Sequence, residues 1–394
     1  MRLRHIPLCS VLMLVCPSLA GQVGESEAKQ EKGKAAEQDK SSQDTSKARD
    51  ARFKAKGWVK VEDIWVAKEH VKDARKGIFH HDGDVLNKYE ISKLQSGMVR
   101  HPLTGRFIAA ADIGKAKTQF PVADGEWVSK EEANKYHSNQ RRPWIVRTAN
   151  CNIASTLPLD TILYKVAGQV DSAYNKLMPI FGGVKPPPNR RPTIVVLATH
   201  DSYAAFGADN GSGGSAHGAF LTDQFTFFVD GSRLRVGAAV WDKSWGPYYV
   251  RHATAVALNH ALLGDETDDV PEWFHRALGG YVERHFSKDL ARYFGAQHVK
   301  KGGVEGLKKW LSGFRIGPDL PQRGKGDIGY NVYQAGLLLS FSMGGGNKKT
   351  TTALKKVTAA FTKGKKRAAA IKTLGKVLSK QEAELQAFLE KTVQ

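Results

Sequence analysis

His252-Ala253-Thr254-Ala255-Val256 and Pro271-Glu272-Trp273-Phe274-His275-Arg276-Ala277 are the two segments whose residue types and spacing come nearest to a chemical motif. The working pattern is His-Glu-x-x-His on a helix. Two histidines one turn apart ligate zinc from one helix face, and the glutamate between them takes the proton of the metal-bound water. Only the first histidine, His252, is present. The base position holds Ala253, which cannot accept a proton, and the second ligand position holds Val256, which offers no lone pair.

Taken in order, the two segments resemble the secreted gluzincin-like zinc peptidases of the peptidase-MA-like type. In that family the zinc helix is followed by a loop and a second helix opening Pro-x-Trp-Leu-x-Glu-Gly, whose Glu is the third ligand. Setting Trp273-Phe274 on that Trp-Leu places Arg276 at the third ligand position. The resemblance therefore implies degenerate ligand positions at His252, Val256 and Arg276 and a degenerate base position at Ala253. A guanidinium is always charged, and at about 4 Å from Zn²⁺ it would be repelled by about 8 kcal/mol at an effective dielectric near 20. The expectation is a protein without zinc hydrolysis and without a cofactor, zinc being needed only if a different ligand set exists. His260 is two turns past His252, about 12 Å along a helix, too far to share one ion. His275 adjoins Arg276 and is expected to point elsewhere, and His80-His81-Asp82-Gly83-Asp84 reads as a turn. The plain alternative is a helix that merely contains a histidine.

The resemblance covers 144–394 and implies an α+β fold: a mixed sheet with an edge strand, a zinc-type helix and a helical C-terminal part. The residue pattern is compatible with that order. Ile162, Val166, Val170, Ala173 and Leu177 recur at helical spacing and are followed by Gly182-Gly183 and Pro186-Pro187-Pro188. Thr193 to Thr199 is β-rich, and Tyr330 to Phe341 and Leu354 to Val393 read as helices. Phe225, Thr226, Phe227, Phe228 and Val229 alternate across two faces of a strand. In active relatives the edge strand before the zinc helix holds extended substrate by main-chain pairing, which needs no metal. These five residues are thus the expected binding edge for an extended peptide or protein partner.

Those elements sit behind an export signal and a tether. Arg2 and Arg4, the apolar run Ile6 to Val15 and Ser18-Leu19-Ala20 read as a signal peptide over 1–20, too short to span a bilayer, so the location is expected to be secreted, periplasmic or cell envelope. No other transmembrane candidate is present. Removal of Cys9 and Cys16 with the leader leaves Cys151 alone, so no intrachain disulfide is expected. Residues 21–56, rich in Lys, Glu, Gln and Ser, read as a disordered linker. From 57 to 143 a small module is expected, with an echo between Trp65-Val66-Ala67-Lys68-Glu69 and Trp127-Val128-Ser129-Lys130-Glu131, each a short strand entering a helical turn.

Fifty-nine Lys and Arg against thirty-nine Asp and Glu give a formal charge of +20, with much of the excess between Lys348 and Lys380. Such a face attracts acidic envelope polymer, lipid head groups or nucleic acid, although no nucleic-acid motif with interleaved aromatics accompanies it. Two resemblances to other chemistry are weak. Gly211-Ser212-Gly213-Gly214-Ser215 lacks the Gly-Lys-Ser/Thr of a phosphate loop, and Ser340-Phe341-Ser342-Met343-Gly344 lies in a helical pattern where a nucleophile elbow needs a strand. Three functional classes remain: a pseudo-metallopeptidase that binds or scaffolds, an active metallopeptidase with an unrecognised ligand set, and a basic envelope-associated structural protein that binds polyanions.

Overall fold

The computed structural model describes residues 47–209, 226–229, 232–242, 244–286, 307–308, 311 and 335–393. The signal peptide, the linker up to residue 46, the glycine-rich stretch 211–218 and Phe225 lie outside the described residues. The chain forms two units, 1–60 and 61–394. In the first, helix α1 (47–55) occupies what was expected to be the end of the linker. Phe53 stacks on Trp58 with ring centroids 5.1 Å apart.

From residue 59 onward short hairpins alternate with helical turns. After β1 (Val59–Val61) and β2 (Ile64–Val66) come a 3₁₀ turn (Lys68–His70) and α2 (Val71–Ala74). Next come β3 (Phe79–His81), β4 (Asp84–Leu86) and α3 (Lys88–Gln95), then β5 (Met98–Arg100), β6 (Phe107–Ala109) and two 3₁₀ turns. The last copy is β7 (Phe120–Pro121), β8 (Trp127–Val128) and α4 (Lys130–His137). Asp82 and Gly83 join β3 to β4 with φ of 48° and 85°, the two positive values a type I′ turn requires, so the His80-to-Asp84 cluster is a hairpin. Asn87 and Ser129 open α3 and α4 through capping boxes with Glu90 and Glu132. The Trp-Val-x-Lys-Glu echo is therefore strand end, cap and first helical turn. Two intervening copies carry the same architecture without the Trp-Val pair.

Residues on the two sides of the expected division at 143/144 are bonded to one another. Asn134 Oδ1 of α4 accepts from Trp144 Nε1 (3.2 Å) and from the Leu159 amide (2.9 Å). Glu90, only 2% exposed, bonds Arg100 of the next hairpin and Arg147 beyond the boundary. Buried ion pairs of this kind hold their partners in place because separating them would strand a charge.

Beyond the hairpins, β9 (Trp144–Arg147), β10 (Asn152–Ser155), β11 (Thr193–Leu197) and β14 (Gly237–Val240) form a sheet in the order β14-β11-β10-β9. β9 pairs antiparallel to β10, and the other two pairings are parallel. A π-helical turn (Ile162–Val166) and α6 (Ala167–Leu177), preceded by the single turn α5 (Leu159–Thr161), connect β10 to β11. Alternation along β11 sorts the two cores. Ile194 and Val196 join Val170, Ala173, Val250 and Leu258, while Val195 and Leu197 join Tyr203 and Phe206 of α7 (His200–Asp209). Helix α8 (Gly246–Leu263) is buried throughout 250–263 and packs on the sheet and on α9 (Glu272–Phe286). Three C-terminal helices, α10 (Lys348–Lys363), α11 (Arg367–Leu378) and α12 (Glu382–Val393), complete the mixture of helix and strand, consistent with an α+β protein.

The expected binding edge is arranged differently. Thr226–Val229 is β12, paired antiparallel with β13 (Ser232–Arg235) in a two-stranded sheet of its own, and the strand bordering the four-stranded sheet before α8 is β14. The four-residue register runs from Thr226↔Arg235 to Val229↔Ser232, separate from the larger sheet.

Candidate functional site

α8 and α9 pack side by side, and their facing residues define the site. Gly279 makes the approach close: a Cβ added there would lie 2.3 Å from two atoms of the His252 ring. With no side chain at 279, the ring reaches the next turn of α9, where His252 Nδ1 lies 3.2 Å from Glu283 Oε1. Both are buried, with side-chain exposures of 4% and 0%. The other carboxylate oxygen, Glu283 Oε2, has no hydrogen-bond partner among the described residues. The carboxylate also raises the Tyr249 phenol pKa, second to burial itself.

Arg276, assigned to the third ligand position, is likewise buried and donates from Nε to Glu272 Oε1 at 2.8 Å, one turn back on its own helix. The two positions thus lie on the packed helix pair but engage different acids. At Ala253 the helix backbone itself is against the sheet: an added Cβ on Gly237 would lie 1.9 Å from the Ala253 carbonyl oxygen, so β14 lies directly on α8 there. Val256 is buried at 6% exposure.

His275, expected to point elsewhere than Arg276, meets α8 two turns away from His252. Its Nδ1 is 2.7 Å from Asn259 Nδ2, and its ring stacks on His260 with centroids 5.6 Å apart. This is a second polar layer two helical turns from His252, which matches the spacing that separated His260 from His252 in the sequence. Among the described residues no group of three or more His, Cys, Asp or Glu is placed to hold a metal ion. Glu283 and Gly279 were not singled out from sequence. Their signal was positional: Arg276, Gly279, Gly280 and Glu283 recur at three- and four-residue spacing and so share one face of α9.

The remaining sequence candidates carry no reactive arrangement. Ser342 sits in a π-helical turn (Phe341–Gly345), is 1% exposed, and donates its hydroxyl to the Leu338 carbonyl at 2.8 Å. Cys151 is fully buried, and that burial pushes its thiol well above the usual range. A cavity of about 540 Å³ lies beside the β3–β4 hairpin, lined by Asp84, Arg147, Tyr174, Lys185 and Arg191. Its two arginines are engaged, Arg147 with Glu90 and Arg191 Nη2 with the carbonyls of Thr148 and Ala149 at 2.5 and 2.7 Å. Burial pushes the Tyr174 phenol up to about 12. No protein-family model matches the chain, and no curated protein matches it.

Proposed function

We propose that this is an exported protein with a gluzincin-like framework that has exchanged zinc hydrolysis for binding or scaffolding. The observation that carries the reading is the α8–α9 seam. A zinc peptidase needs donor side chains converging on one ion there, and this chain has His252 turned to Glu283, Val256 without a lone pair, and Arg276 tied to Glu272. The base position is occupied by Ala253 beneath β14. Purified full-length protein is expected to contain no stoichiometric zinc by elemental analysis and to leave unstructured protein substrates intact. About one zinc per chain, with proteolysis abolished by a chelator and by His252→Ala, refutes the reading.

A second reading has one specific observation in its favour. His252 and Glu283 are both ligand types, adjacent at 3.2 Å, and the second Glu283 oxygen is unbonded among the described residues. An active metallopeptidase using this pair would lose zinc on Glu283→Gln, whereas the first reading predicts no change in metal content.

The binding activity is assigned to an extended peptide segment on β12. In its two-stranded sheet this strand has one edge without a strand partner among the described residues. A proline there removes a main-chain donor, so Thr226→Pro is expected to weaken capture from a peptide library. Capture unchanged by that substitution in a folded protein moves the binding site elsewhere.

A further inference from the structure

From Lys348 to Lys380 the chain carries ten lysines, one arginine and not one Asp or Glu, a net +11 out of +20 for the whole sequence. α10 and α11 occupy this stretch, joined by Gly364-Lys365-Lys366, with Gly364 in the left-handed region at φ 67°. So short a connection makes them antiparallel neighbours. Both bury one side in the same core, through Leu354, Val357 and Phe361 on α10 and Ile371, Leu374 and Leu378 on α11. All ten lysines are exposed and fall on the outward sides. Lys349, Lys356 and Lys363 repeat every seven residues along α10, Lys372 and Lys376 stand four apart on α11, and Lys380 follows in the turn after it.

None of the ten makes an ion pair among the described residues, whereas Arg367 is held by Glu266 at 3.2 Å. The placement works against the fold. Lys348 and Lys349 sit in the first turn of α10, at the positive end of its dipole, and Lys372 and Lys376 are like charges four residues apart on α11. An external array of anions relieves both penalties.

We propose that this helical hairpin is a docking face for an anionic lipid surface. Its shape favours a plane over a single polymer chain: two packed neighbouring helices about 8–10 Å apart, the longer about 24 Å long, with charge on both. Neither helix exposes a large apolar side chain, so nothing is inserted into the bilayer and the attraction is electrostatic. No aromatic side chain is exposed on it for stacking bases, and its only arginine is engaged by Glu266. Clusters of this size on an amphipathic helix are read by acidic head groups, each lysine near the surface strengthening binding about fivefold.

The test is co-sedimentation of the full chain with vesicles of phosphatidylcholine containing increasing phosphatidylglycerol. Binding is expected to rise with the anionic fraction and to fall steeply between low salt and about 0.15 M, where the screening length is about 8 Å. The triple variant Lys349→Gln/Lys356→Gln/Lys363→Gln is expected to bind about a hundredfold more weakly. The charge-matched control Lys72→Gln/Lys117→Gln/Lys176→Gln, whose three lysines are also exposed, is expected to lose far less. Equal losses in the two variants would mean diffuse charge and overturn the assignment. So would binding to pure phosphatidylcholine, or displacement from vesicles by an acidic polysaccharide or duplex DNA at matched charge concentration. The proposal stands apart from the α8–α9 seam, and zinc content leaves it untouched.

Discussion

Removing the Glu283 carboxylate should couple strongly to His252, and the size of that coupling measures whether the seam is built as described. The pair is buried, 3.2 Å apart, with the carboxylate at 0% exposure. As an ion pair at that separation it would be worth at most about 5 kcal/mol at an effective dielectric of 20, before desolvation is subtracted. Breaking such a pair from one side costs about 3–5 kcal/mol, because the remaining group stays buried without its partner. Glu283→Ala is therefore expected to lower the unfolding free energy by about 3–5 kcal/mol, or Tm by about 4–7 °C for a unit of this size. His252→Ala should cost a similar amount, since it leaves neither Glu283 oxygen bonded among the described residues. The double variant should cost less than the two singles added, with a coupling of about 2–3 kcal/mol. Glu283→Gln keeps the volume and a hydrogen bond, and should cost about 1–2 kcal/mol. Urea unfolding followed by circular dichroism supplies all four values. Additivity within about 0.5 kcal/mol, or Glu283→Ala within about 1 kcal/mol of the parent, refutes the arrangement.

Three other outcomes follow from the same coordinates. Gly237→Ala forces a Cβ to 1.9 Å from a main-chain oxygen, which no rotamer change can relieve, and should cost about 3 kcal/mol or more in a thermal melt; a loss under about 1 kcal/mol would show that β14 can move off α8. Burial holds His101 and His137 below the usual histidine range, and His101 Nδ1 accepts from the Leu103 and Thr104 amides at 3.2 and 3.3 Å. Because the unfolded chain binds more protons, their contribution is complete above about pH 6.5 and is lost as pH falls toward the lower folded values; a urea midpoint that rises between pH 7 and pH 5 contradicts this. Cys151, buried and with its thiol pushed up, should react with thiol reagents only after unfolding, and modification of the native protein at the unfolded rate would refute its placement.

Much of the frame can be read from the residues. Helical spacing predicts α6, the β-branched run 193–197 predicts β11, and the apolar C-terminal pattern predicts α10 to α12, since each of these signals is local. The two outer hairpin modules are legible through Trp65-Val66 and Trp127-Val128, while the middle two carry Val85-Leu86 and Phe107-Ile108 instead and are defined by their turns and pairing. The chemistry of the seam also begins in the sequence: Ala253 and Val256 cannot serve as base or ligand in any fold. What tertiary structure decided is who meets whom. Antiparallel packing of α8 on α9 sets His252 at the level of Gly279, and the absence of a side chain there lets the ring reach Glu283 while Arg276 turns to Glu272. It also turned His275 onto Asn259 and His260, and closed Thr226–Val229 into a hairpin apart from the main sheet. Motif spacing fixes positions along one helix, but the register between two helices is set by where glycine permits close approach, and that is a property of the packed pair.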